Sequence, residues 1–66
     1  MKVKVYFLDG QIIFYNNVND LMIYDNSYVI DYNKEYDGQR DECALTEVVV
    51  IIVDNEVVYT MKKEQG

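Results

Sequence analysis

The pattern of apolar and polar positions is most decided between Leu45 and Lys62, LTEVVVIIVDNEVVYTMK. The β-branched run from Val48 to Val53 enters Asp54-Asn55 and returns through Glu56, Val57, Val58, Tyr59, Thr60 and Met61. Val and Ile lose rotamer freedom in a helix and suit a pleated surface, whereas Asp and Asn tolerate the left-handed angles of a tight turn. The stretch therefore predicts a β-hairpin. With a two-residue turn at Asp54-Asn55, one face holds Val48, Val50, Ile52, Val57, Tyr59 and Met61, and the other holds Val49, Ile51, Val53 and Val58. A ribbon with one solvated face alternates apolar and polar; this one is apolar on both. The second face needs a cover, either the first hairpin or, as the preferred expectation, another copy of the chain. Val49, Ile51, Val53 and Val58 are accordingly the expected oligomer interface.

Two further hairpins precede it. Lys2 to Leu8 alternates, Asp9-Gly10 is a strong turn signal, and Gln11 to Asn16 returns. A two-residue turn there puts Val5, Phe7, Ile12 and Phe14 on a core face and leaves Tyr6, Leu8, Ile13 and Tyr15 on an amphipathic one. Asn16 to Asp20 is rich in turn formers. Leu21 to Asn33 then folds back at Asp25-Asn26, setting Ile23 opposite Tyr28 and Leu21 opposite Ile30. The same register opposes Asp20 to Asp31, a like-charge pair that disfavours a longer ladder; a three-residue turn through Ser27 would shift it by one. Lys34 to Glu47 breaks the pattern and is expected to be a long acidic loop, with Asp41 capping one helical turn that runs to Leu45. These elements predict a single all-β domain over residues 1–66. Its form is a small antiparallel barrel or a strongly bent sheet of about six strands built from three hairpins.

Size sharpens the expectation of self-association. A chain of 66 residues buries a modest share of its surface and usually needs a staple. The lone Cys43 forbids an internal disulfide, and the absence of His removes the usual zinc ligands. Association between copies is the device left, with an unusually tight monomeric barrel as the alternative. A net charge of −6 argues against direct nucleic-acid binding, which relies on Lys and Arg, and favours a basic partner. The opening residues alternate instead of forming the apolar core of a secretory signal, and no stretch is long and apolar enough to span a bilayer. Cytoplasmic placement without membrane contact is the expectation.

Candidate chemistry is sparse. The acids of the 34–47 stretch, Glu35, Asp37, Asp41, Glu42 and Glu47, lack the spacing of a calcium loop, so no metal is expected. Without His, and with a thiol that has no evident base, no activated nucleophile exists; no catalytic residue and no cofactor are assigned. Cys43 reads as a small, largely buried side chain. The 7 tyrosines combine an apolar body with a hydrogen-bonding tip, which suits interfaces. Tyr28 and Tyr59 are assigned to the core. Tyr6, Tyr15, Tyr24 and Tyr36, with Asp37, Asp41 and Glu42, are the expected partner-binding residues.

Val3, Val5 and Phe7 before Asp9-Gly10, then Tyr15, Asn17-Val18, the Asp25-Asn26 turn and the Val/Ile-rich closing hairpin resemble a group of small β proteins of phages and prophages of Gram-positive bacteria. That resemblance implies action by binding, as in inhibitors of bacterial immune systems, and carries over no site residue. The expected function is that of a non-enzymatic, homo-oligomeric phage or mobile-element protein that inhibits a basic anti-phage defence protein in the host cytoplasm. Two alternatives stand beside it. One is a sponge for a small nucleotide signal, with tyrosines stacking on bases and Lys2, Lys4, Lys34 or Arg40 holding a phosphate. The other is a structural or assembly subunit.

Overall fold

A computed structural model describes residues 1–32 and 40–61. Its strands are β1 (Val3–Phe7), β2 (Ile12–Tyr15), β3 (Val18–Ile23), β4 (Ser27–Tyr32), β5 (Arg40–Ala44), β6 (Val48–Val53) and β7 (Glu56–Thr60). All pairings are antiparallel, giving a four-stranded sheet in the order β2-β1-β6-β7 and a three-stranded sheet in the order β3-β4-β5. No helix occurs among the described residues, and so none that could cross a membrane.

One core lies between the sheets. Val3, Val5, Val48 and Ile51 come from the four-stranded sheet and Val18, Tyr28 and Ile30 from the other; Leu45, in the turn between β5 and β6, joins them. Among the described residues no strand ladder joins the two sheets, so the expected barrel does not close. The strand count also rises from six to seven. The additional strand is β5, formed by Arg40 to Ala44 where a loop and a helical turn were expected. Its polar side chains sit at a sheet edge, where charge discourages further pairing and so suits a terminal strand.

The β6–β7 turn is as anticipated. Asp54 (φ 46°) and Asn55 (φ 72°) both take left-handed angles, the requirement of a type I′ hairpin turn. Asp54 also ties this turn to β1, its Oδ1 accepting the Lys2 N–H at 2.9 Å and its own N–H donating to the Lys2 carbonyl at 3.0 Å. A β-carbon in this region costs about 1–2 kcal/mol, which Asn tolerates better than Ala and Gly does not incur. Asn55→Ala is therefore expected to destabilise the fold by about 1 kcal/mol, lowering the melting temperature by roughly 4–8 °C. Asn55→Gly should not lower it. Melting curves of the two variants provide the check, and coincident curves would contradict a strained Asn55.

Register corrects the sequence reading in the first and third hairpins and agrees with it in the second. The first hairpin closes through a three-residue loop in which Gly10 takes φ 89°, with the Gly10 N–H donating to the Phe7 carbonyl at 3.0 Å and the Phe7 N–H to the Gln11 carbonyl at 2.9 Å. This is the type I turn plus left-handed glycine of a common hairpin class, and it shifts pairing by one residue. Val5 faces Ile13 and Val3 faces Tyr15, so Tyr15 turns inward while Ile12 and Phe14 turn out. In the third hairpin the register slips between Ile51 and Ile52, leaving Val58 as the extra residue of β7; a second slip, between Tyr6 and Phe7, makes Val49 the extra residue of β6. Each bulge moves the following side chains to the opposite face. The inner face thus holds Val48, Ile51, Val53 and Tyr59, and the outer face Val50, Ile52 and Val57. Between β3 and β4 the Asp25-Asn26 register holds, including Asp20 opposite Asp31. Arg40 stands opposite Asp31 from the other side, which places a cation next to that like-charge pair.

Candidate functional site

The outer face of the four-stranded sheet is an uncovered, largely apolar surface. Phe14, Lys4, Ile52 and Val57 form one cross-strand row, and Ile12, Tyr6, Val50 and Thr60 form the next. Phe14 is 61% exposed, Val57 59% and Ile12 42%; Tyr6, Val50 and Ile52 are half-buried. Neither row contains an acid. The one charge, Lys4, leans toward the β2 edge with its Nζ 6.0 Å from the Phe14 ring centre, a cation–π arrangement that leaves the middle of the face to Tyr6, Val50 and Ile52. Contact surfaces on small proteins commonly take this form.

A second feature lies at the end of the β6–β7 hairpin remote from its turn. Tyr24, Asp25 and Asn26 of the β3–β4 turn, Leu45 and Thr46 of the β5–β6 turn, and Tyr59 and Met61 line an open hollow of about 720 Å³. Its walls are tied by backbone hydrogen bonds. Leu45 N–H donates to the Asn26 carbonyl at 2.9 Å, Tyr24 N–H to the Ser27 carbonyl at 2.8 Å, and Met61 N–H to the Val49 carbonyl at 2.7 Å. Among the described residues Asp25 is the only charged one in the lining. A smaller hollow of about 330 Å³, at the opposite end of the hairpin, is lined by Lys2, Lys4, Ile52, Asp54 and Asn55. There the Asp54 carboxylate offsets the two ammonium groups.

Tyrosines also staple the sheets together. The hydroxyls of Tyr15 on β2 and Tyr28 on β4 lie 3.0 Å apart, with the rings edge to face at 6.4 Å and 77°. Tyr28 is fully buried, and Cys43 stands opposite it on β5. Burial, reinforced by the Tyr15 hydroxyl and Cys43, pushes the Tyr28 phenol far above its ordinary value, and burial likewise raises Tyr15. Tyr32 donates to Asp41 Oδ2 at 2.7 Å; partial burial and then this carboxylate push its phenol up to about 12. All three phenols are neutral near pH 7 and hold the fold together instead of presenting a reactive oxyanion. No buried side-chain polar atom among the described residues lacks a partner, and no cluster of metal-ligating residues occurs among them.

The residues singled out from the sequence scatter across these features. Tyr6 lies on the outer face and Tyr24 in the larger hollow, whereas Tyr15 is engaged with Tyr28 instead of being presented to a partner. Asp41 and Glu42 sit on edge strand β5 as exposed side chains, Asp41 bonded to Tyr32 and Glu42 accepting from Ser27 Oγ at 3.3 Å. Tyr36 and Asp37 fall outside the described residues. The expected interface set is corrected: Ile51 is fully buried in its own chain, Val53 packs against the core, Val49 is half-buried, and only Val58, 47% exposed, stays open. Phe14, Ile12, Ile52 and Val57 take the outward role that those residues lack. Asp25 and Met61 carried no signal of a site in the sequence, because only the packing of the β3–β4 turn near the end of β7 gives them a common hollow. Comparison with protein families, with curated proteins and with solved structures returned no match.

Proposed function

We propose that this chain is a non-enzymatic binding protein that pairs with a second copy of itself through the outer face of the four-stranded sheet. In this proposal it presents its acidic, tyrosine-bearing surface to a basic host protein. The observation that carries the proposal is the uncovered apolar face built from Phe14, Ile12, Tyr6, Val50, Ile52 and Val57. Copies of a chain with net charge −6 repel one another, so they meet most readily where the surface carries no acid, and the two rows of this face carry none. Burying the face also supplies the extra apolar area that so short a chain needs. A role as inhibitor of a host defence protein fits this mode of action, which requires a surface and no chemistry. The nucleotide-sponge alternative is less favoured, because among the described residues the tyrosine-lined hollow carries a carboxylate and no cation to meet a phosphate.

Sedimentation over a concentration series tests the pairing. The native chain is expected to move from 7.8 kDa toward twice that mass, while a Phe14→Asp/Val57→Asp variant stays at the lower mass with an unchanged circular-dichroism spectrum. Both replaced residues are exposed, so the variant is expected to fold. A native chain that remains a single particle into the high micromolar range would overturn self-association.

A further inference from the structure

The geometry points to the hollow of Tyr24, Asp25, Leu45, Tyr59 and Met61 as a receptor for an arginine side chain of the basic partner, an inference that rests on the binding-protein proposal and names the chemistry the partner brings. The lining brings together one carboxylate (Asp25), two phenols (Tyr24 and Tyr59) and the apolar side chains of Leu45 and Met61, a set that matches a guanidinium more closely than other common groups. The guanidinium is planar, always charged and weakly hydrated, so it stacks on an aromatic face while donating in a fork to a carboxylate. Its aliphatic stem covers apolar surface such as that of Leu45 and Met61. An ammonium group gains less from flat walls, because it is a compact and strongly hydrated point charge.

Charge selects against the alternatives. Among the described residues Asp25 is the only charged residue lining the hollow, a charge that disfavours phosphates and carboxylates, and the net charge of −6 draws cations from a distance. At about 720 Å³ the hollow exceeds one side chain, which suits an arginine carried on a stretch of peptide. The backbone bonds joining Leu45 to Asn26 and Met61 to Val49 hold the walls in place before binding, limiting the ordering cost.

The test is a titration of isotopically labelled native protein at low salt with acetyl-Gly-Arg-Arg-Gly-amide, followed by amide chemical shifts. The citrulline counterpart, whose neutral urea group copies the guanidinium in shape, and the lysine counterpart serve as comparisons. The arginine peptide is expected to move Tyr24, Asp25, Asn26, Thr46 and Met61. Both comparison peptides should bind about tenfold more weakly or worse, as expected for loss of a charge-assisted, bidentate contact. Asp25→Asn and Tyr24→Ala, each at an exposed position, should weaken the arginine peptide severalfold while leaving the remaining spectrum in place. Equal binding of the citrulline or lysine peptide, shifts spread over the acidic surface without focus on the hollow, or indifference to Asp25→Asn would each overturn the assignment. Self-association is read separately by sedimentation, so failure here leaves the pairing through the outer face standing.

Discussion

Ile51→Ala is expected to cost about 2–5 kcal/mol, the usual range for truncating a large aliphatic in a packed core. A domain of 66 residues has roughly 3–10 kcal/mol of stability in total, so this single change should leave a large unfolded fraction at 37 °C. The reason is position. Ile51 has no exposed surface, and it pairs with Val5 on one side and Tyr59 on the other, between sheets that share one core. Its neighbour Ile52 has identical chemistry but points to the outer face, where it is half-buried, and Ile52→Ala should cost about 1 kcal/mol or less. Urea unfolding at concentrations too low for pairing between copies separates the two. Comparable losses for Ile51→Ala and Ile52→Ala would show that β6 does not turn Ile51 into the core and Ile52 to the outer face as described.

Alkaline pH is expected to unfold the protein through its tyrosines. In the folded state Tyr28 and Tyr15 hold their protons above the ordinary phenol value of 10.0, and Tyr32 does so up to about 12. The unfolded chain sheds those protons first as pH rises. Their contribution is therefore fully present below pH 10 and declines above it, each phenol kept neutral steepening the loss toward about 1.4 kcal/mol per pH unit. The melting temperature should stay level from about pH 7 to 9 and fall sharply beyond about 10. Tyr28→Phe removes the most strongly held proton. It should flatten the alkaline decline, at a cost near neutrality of about 1 kcal/mol because the Tyr15 hydroxyl loses its partner. Adding Tyr15→Phe should cost less than the two single losses together, since the orphaned hydroxyl disappears with its mate. An alkaline decline equally steep in the native chain and in Tyr28→Phe would rule out the pair as the titrating element.

These expectations also mark where the chain was legible from its residues. Asp54-Asn55 and Asp25-Asn26 announce their turns because the chemistry of a turn is local, and both hairpins close where the residues require. Asp9-Gly10 announces a turn equally well but not its length. Gly10 serves a three-residue loop as readily as a two-residue one, and the difference exchanged Ile12 and Phe14 for Ile13 and Tyr15. The bulges at Val49 and Val58 were illegible for a different reason. Where residues on both sides of a strand are apolar, no polar marker records which set faces inward. Strand β5 was hidden by Arg40, Asp41 and Glu42, whose charges suit an edge strand as well as a loop. Of the candidate site, Tyr6 and Tyr24 were found from residue type alone. Asp25 and Tyr59 became partners only through the packing of one sheet on the other.

Strand β6 carries an ambiguity from its composition into its folding. Val48 to Val53 would bury nearly the same oily area if it lay the other way round, so solvent aversion by itself barely distinguishes the native pairing from one displaced by a single step. Discrimination falls to a few directional bonds at the strand's end, chiefly the two between Lys2 and Asp54 that clamp the reversal onto β1. Loosening that clamp should do more than weaken the native state: it would admit a rival arrangement of almost equal greasiness, visible as slow, heterogeneous refolding.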